Sequence, residues 1–207
     1  MKMIVFADLH TDCTDKIKSI DFSSYNADVC FTLGDINREH LRCIKECVNV
    51  PIYGVLGNHD ECGMLESCGI EELSDNPLEG LGIIGDNDRG KEYTAAGLSG
   101  SAKYKDSDYC MLTQQESLNI CRNLIHANIL ISHDCAYGLY GDRSDLAHCG
   151  LKGISRYIRK HKPILCIHGH HHENTVKIYR KTIDICVFGC SVIGVGNGCL
   201  SEVIRVF

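Results

Sequence analysis

Five times along this chain a short apolar run stops and a metal-binding side chain follows within about two positions. Met3 to Ala7 leads into Asp8-Leu9-His10, Ala27 to Leu33 into Gly34-Asp35, and Pro51 to Leu56 into Gly57-Asn58-His59-Asp60. Asn128 to Ile131 is followed by His133, and Pro163 to Ile167 by His168-Gly169-His170-His171-His172. The runs are rich in Ile, Val, Leu and Cys, as expected for strands buried on both faces. In open α/β sheets, sites form in the crevice beyond the carboxyl ends of the strands. The pattern therefore predicts five strand ends meeting at one place.

Helix-like stretches lie between these strands. Glu39 to Cys47 sets Leu41, Ile44 and the following Val48 on one face, and Gly150 to Lys160 gathers Leu151, Ile154, Tyr157 and Ile158. Thr113 to Ile125 opens with a capping-box pattern, Thr113-x-x-Glu116. Strands alternating with helices predict an α/β domain with helix-covered sheets. The end of the chain changes character. Asn174 to Tyr179, Thr182 to Phe188 and Glu202 to Val206 read as successive strands without intervening helices. Leu81 to Gly85 and Tyr93 to Leu98 read as a strand pair joined by the polar turn Asp86 to Gly90. At 207 residues, without an internal repeat or linker, the expectation is a single domain over 1–207.

Composition narrows the function. A formal net charge of -6, without a Lys/Arg-rich face, argues against a stable nucleic-acid partner. No apolar run approaches the roughly 18 residues of a membrane span. The apolar start, Met1 to Ala7, is too short for a signal peptide. The 14 Cys are scattered, without a C-x-x-C pair, and several sit inside apolar runs. That pattern speaks against a thiolate zinc site or a redox protein, and for a reducing cytoplasm.

The residues gathered at the strand ends are Asp8, His10, Asp35, Asn58, His59, His133, His170 and His172. Carboxylate oxygen and imidazole nitrogen suit Mn, Fe, Zn or Ni. They exceed the needs of one four-coordinate ion and suit a pair. Two ions about 3.5–4 Å apart can clamp the attacking and leaving oxygens of a phosphoryl displacement.

With these motifs in order, the chain resembles the calcineurin-like metallophosphoesterase family. The family pattern is D-x-H, G-D, G-N-H-D/E, a lone His and G-H-x-H. Here it stands as Asp8-x-His10, Gly34-Asp35, Gly57-Asn58-His59-Asp60, His133 and Gly169-His170-x-His172. The resemblance implies a four-layer α/β/β/α sandwich with two mixed sheets. It implies two divalent ions, one on Asp8, His10 and His172, the other on Asn58, His133 and His170, with Asp35 bridging. A hydroxide shared by the ions would attack phosphorus in line. His59 would touch a phosphate oxygen and protonate the leaving group, Asn58 would sit beside the substrate, and Asp60 would hold the His59 ring.

Blander readings apply to the other histidines. His170 and His172 share a side if the backbone is extended, which leaves His171 facing away with no role. His168 reads as packed or supporting. His148 reads equally as a substrate contact and as part of a helix cap. His40, His126 and His161 read as surface residues. Asp86 to Gly90 imitates a protein-phosphatase signature, but it follows Gly57-Asn58-His59-Asp60 instead of preceding it, and a hairpin turn explains it better. Arg38 is offset from the position such phosphatases use. The expected activity is hydrolysis of a small or nucleotide-like phosphate monoester or diester. The alternatives are a nuclease or a non-catalytic scaffold of the same fold.

Overall fold

The computed structural model describes residues 1–74, 83–86, 92–106, 110–140 and 144–207. The Asp86 to Gly90 turn, beyond Asp86, falls outside them, as do Leu81 and Gly82 of the strand expected there.

One sheet is built from β1 (Lys2–Ala7), β2 (Val29–Thr32), β3 (Ile52–Gly54) and β4 (Glu71–Glu72), all parallel. Two later strands, β13 (Gly189–Gly196) and β14 (Cys199–Arg205), complete it in the order β14-β13-β1-β2-β3-β4. The second sheet has a parallel centre of β6 (Glu92–Leu98), β9 (Ile129–Ser132), β10 (Leu165–His168) and β12 (Thr182–Cys186). Its antiparallel edges are β5 (Ile83–Asp86) and β11 (Thr175–Tyr179). A small two-stranded sheet joins β7 (Ser101–Ala102) and β8 (Met111–Leu112).

The sheets pack face to face through one core. Met3, Val5, Phe31 and Val55 of the first meet Ile129, Ile131, Ile167 and Ile185 of the second. Alternate residues of the same strands face outward. Ile4, Phe6 and Cys30 pack under α1 (Thr14–Lys18), α2 (Arg38–Cys47) and α3 (Met64–Ser67). Leu130 and Cys166 pack under α4 (Gln114–Asn123) and α5 (Lys152–His161). Period-2 side chains buried on both faces explain why the strands read as continuous apolar runs. The result is the four-layer α/β/β/α sandwich. Each fully buried Val, Leu, Ile or Phe contributes about 1.5–3 kcal/mol over an exposed one.

Local signals hold where they are chemically specific. The Thr113 hydroxyl accepts the Glu116 amide at 3.2 Å, and the Glu116 carboxylate accepts the Thr113 amide at 2.8 Å. Asn37 caps α2 by accepting the His40 amide at 2.8 Å. That cap turns His40 inward. It is buried, not on the surface, and its Nε2 accepts the Cys13 amide at 3.2 Å. His161 is half-buried, stacked on Tyr157 at 4.5 Å, while His126 beside it is exposed, as expected. Strand β13 is hard to read in the sequence because its Gly189, Gly194 and Gly196 and its Cys and Ser dilute the β-branched signal. Among the described residues, no helix is long and apolar enough to cross a membrane.

Candidate metal centre

All five strand ends open on the same edge of the sandwich. The β1 and β2 loops are stitched by Asp8 N–H to the Gly34 carbonyl at 3.1 Å and Leu9 N–H to the Asp35 carbonyl at 3.0 Å. The β9 and β10 loops are joined by Gly169 N–H to the His133 carbonyl at 3.0 Å. Two bonds then tie the sheets together. His133 Nδ1 donates to the Leu33 carbonyl at 2.8 Å, and His170 N–H donates to Asp8 Oδ2 at 2.8 Å.

Asp8, Asp35, His170 and His172 all have positive φ, between 51° and 70°. For residues other than Gly this conformation is uncommon and collects at functional sites. It also corrects the extended-backbone expectation for the His170–His172 segment. The tight loop, not strand alternation, sets where these rings point.

The geometry brings most of the predicted residues together. Single ligand atoms of Asp8, His10 and His172 lie within 4.8 Å of one another, as do those of Asp8, Asp35 and His133. Asp8 thus belongs to both groups. The Nε2 atoms of His10 and His172 face each other at 2.9 Å. His133 Nε2 lies 3.0 Å from Asn58 Oδ1 and 3.5 Å from Asp35 Oδ2. His170 stands slightly apart. Its ring centroid is 4.9 Å from that of His133, and its Nε2 donates to the Ala147 carbonyl at 2.8 Å. That bond leaves Nδ1 as its ligand-capable atom.

The donor set fits cations. His133 Nδ1 bonds the Leu33 carbonyl, which leaves Nε2 as the ring atom that faces the oxygens of Asn58 and Asp35. Asp8 Oδ1 is buried with no hydrogen-bond partner. A buried carboxylate oxygen without a donor needs a positive charge beside it. The ionisation equilibria agree. Burial pushes the Asp8 carboxyl up to about 7, with His133 opposing and Asp35 adding. Burial pulls the His170 imidazole down to about 4, with His133 adding. Burial also lowers His10 and His172. His133 moves the other way: burial pulls it down, but Asp35, Asp8 and the Leu33 carbonyl outweigh that. The lowered imidazoles of His10, His170 and His172, beside a carboxyl raised by burial, are ready to ligate metal near neutral pH.

Asp60 departs from expectation. Its Oδ2 accepts the amides of Gly57 at 2.7 Å and Asp35 at 2.8 Å, and it makes no hydrogen bond to the His59 ring. It is buried beneath two loops, so it anchors their backbones instead of the imidazole. The His59 ring is exposed, with Nε2 at 4.0 Å from Asp35 Oδ2, while its amide donates to Asp35 Oδ1 at 2.9 Å. His148 stands at the mouth of the site and not in a cap. Its Nδ1 bonds Asp145 at 2.8 Å, and its ring lies 5.0 Å from that of His170.

Sequence reasoning missed two fully buried carboxylates behind the centre. Asp134 accepts the Ala102 and Cys135 amides at 3.0 and 2.7 Å and faces His171 Nε2 at 3.7 Å. His171 packs against Asp134 and Tyr140, with its ring 5.6 Å from that of His170. Asp184 pairs with His168 at 3.0 Å. The available signal was a charged residue inside an apolar alternating strand, Thr182-Ile183-Asp184-Ile185-Cys186.

Gly57 makes the crossing of the β2 and β3 loops possible. A Cβ there would collide with the Asp35 side chain and amide. Gly57→Ala is expected to lower metal content and to destabilise the fold by about 2 kcal/mol or more. Metal analysis and thermal melting check this. An unchanged protein would mean the crossing has slack.

The sequence matches the family model of the calcineurin-like phosphoesterase superfamily domain over residues 1–193. Comparison with curated proteins finds no match. Solved structures share the fold at low identity. The phosphopantetheinyl hydrolase of Mycobacterium tuberculosis is 13% identical with a TM-score of 0.67, over 91% of this chain and 89% of that one. TT1561 of Thermus thermophilus is 13% identical with a TM-score of 0.64, over 100% and 99%. A dimetal phosphatase from Danio rerio is 12% identical with a TM-score of 0.60, over 95% and 93%. A family match across nearly the whole chain, on a fold that gathers the ligand residues at one edge, places this protein in the calcineurin-like phosphoesterase superfamily, as a metal-dependent phosphoesterase.

Proposed function

We propose that this protein hydrolyses small or nucleotide-like phosphate esters with two divalent ions. Asp8, His10 and His172 hold one, Asn58, His133 and His170 the other, and Asp35 lies between them. The observation that carries this is the set of converging ligand atoms: His133 Nε2, Asn58 Oδ1 and Asp35 Oδ2, beside Asp8 Oδ1, which has no hydrogen-bond partner. Oxygen and nitrogen donors without thiolate fit Mn, Fe, Zn or Ni. Bound there, the ions supply Lewis acidity and water ionised near neutral pH.

The chain's own residues do the rest. His59 reaches into a cavity of about 570 Å³ that Asp35, Asp60 and Arg38 also line. There it donates a proton to the leaving oxygen. Asp35 fixes the His59 backbone, and Asp60 fixes Asp35 and Gly57, so the acid and the bridging carboxylate hold one spacing. Asn58 and His148 flank the phosphoryl group. The scaffold reading is disfavoured because every ligand and His59 is retained. A single domain with 14 cysteines outside any disulfide suits a reducing cytoplasm.

His59→Ala is expected to lower kcat by about 10²–10⁴-fold, the usual contribution of a general acid, with metal content unchanged. The measurement is turnover of aryl and alkyl phosphate mono- and diesters after Mn reconstitution, alongside metal analysis. Undiminished turnover of alkyl esters would remove His59 as the acid. No turnover of any ester by the metal-loaded parent would remove the hydrolase reading.

A further inference from the structure

His10 separates two cavities. The larger holds the proposed acid His59, while the smaller, of about 200 Å³, reaches Asp8 from the other side. Lys16, Arg205, Phe188 and Phe207 line the smaller one, and His59 does not. Phe188 packs against the His172 ring at 5.2 Å, so this cavity abuts the ligand set directly.

The cations of the two cavities differ. In the larger, Arg38 is occupied by Glu61 at 2.8 Å and by Ser67. In the smaller, the Lys16 ammonium rests over the Phe207 ring at 4.8 Å. Among the described residues, neither Lys16 nor Arg205 has a carboxylate within ion-pair reach. Among the described residues, the only carboxylate side chain in the lining is Asp8. Two cations without a carboxylate partner beside a phosphoryl site leave a place for negative charge.

Hydrolysis forms one P–O bond from water and breaks the one to the leaving group, whose oxygen takes a proton. A monoester carries no second organic substituent on phosphorus. A diester keeps a second substituent, which must lie away from the acid. We infer that the Lys16–Arg205 cavity binds the retained substituent of a phosphodiester, and that this substituent carries a small anionic group, a carboxylate or a second phosphate. The volume is below the roughly 300 Å³ of ordinary drug-sized pockets, which suits a short acid and not a nucleoside. The inference rests on the proposed hydrolase reading and narrows it from phosphate esters to diesters with an anionic retained arm.

The test separates the two. Phosphoglycolate and methyl phosphate are titrated calorimetrically into the Mn-loaded protein and into Lys16→Gln/Arg205→Gln, whose stems are kept. 2-Phosphoethyl phosphate gives the second-phosphate arm. The parent is expected to bind at least one acidic ligand about tenfold more tightly than methyl phosphate, and the double variant to lose that preference. Which acid is preferred identifies the arm. No preference in the parent, or a preference that survives in the double variant, overturns the inference. The p-nitrophenyl diesters of glycolate and methanol are then hydrolysed side by side. If neither is cleaved while the binding preference stands, the hydrolase reading fails and the anion site remains.

Discussion

Asp8→Asn should lower hydrolysis by about a thousandfold, since outer partners of metal ligands alone cost about 10–100-fold. The same substitution should stabilise the metal-free protein at pH 8. Burial holds the Asp8 carboxyl at about 7 in the folded chain, against an ordinary 3.8. The folded state therefore binds this proton more tightly than the unfolded state. Stability from this group is full below about 4 and is lost as pH rises toward 7. At pH 8 the metal-free fold carries a buried, half-partnered carboxylate at a cost of a few kcal/mol, because each tenfold gain in proton affinity is worth about 1.4 kcal/mol. Asparagine removes that charge while its oxygen keeps the His170 amide bond. The metal-free variant should then melt about 5–10 °C above the metal-free parent at pH 8, and close to it at pH 4. Adding Mn should reverse the order, because only the parent binds the ion well. A variant that melts lower than the parent at pH 8 without metal would show that Asp8 supports the fold and not the ion.

Much of this site can be read from short motifs because each ligand follows a strand whose burial is itself visible. Asp8, Asp35, Asn58 and His133 sit where the apolar runs stop, and the parallel pairing of β1 with β2 and β9 with β10 brings those ends together. The capping box of α4 is legible for the same reason: both partners lie within one turn. What stayed hidden depends on contacts distant in sequence. Asp60 bonds the Asp35 amide, 25 residues away, so its role as a backbone anchor has no local signature. His148 reaches the site only because the Ala147 carbonyl docks on His170. His40 reads as an exposed helical residue until the Cys13 amide finds it. The left-handed backbone of His170 and His172 is a property of the closed loop, where His170 N–H meets Asp8 across the two sheets.

Removing the Asp184 carboxylate should cost about 3–5 kcal/mol of stability, the loss typical when one partner of a buried ion pair is deleted. His168 and Asp184 are both fully buried, 3.0 Å apart. His168 Nδ1 donates to the Gly169 carbonyl at 2.9 Å, and its Nε2 faces the Asp184 carboxylate, so both nitrogens act as donors. Burial pulls this imidazole down, but Asp184, with Cys186 adding, holds it well above its usual range. A raised histidine contributes stability that is complete below about 6.5 and is lost as pH climbs through the elevated folded value. Asp184→Ala should therefore melt about 10 °C lower near pH 6 and differ less from the parent at alkaline pH. The partner substitution discriminates charge from packing. His168→Leu/Asp184→Leu leaves no stranded charge, and should recover most of the loss, as apolar replacements of buried pairs often do. If the double variant is as unstable as Asp184→Ala, the pair acts through shape and the Gly169 bond. Recovery of stability with a weaker hold on Mn would instead show that this buried charge pair sets the Gly169–His172 loop for its ligands.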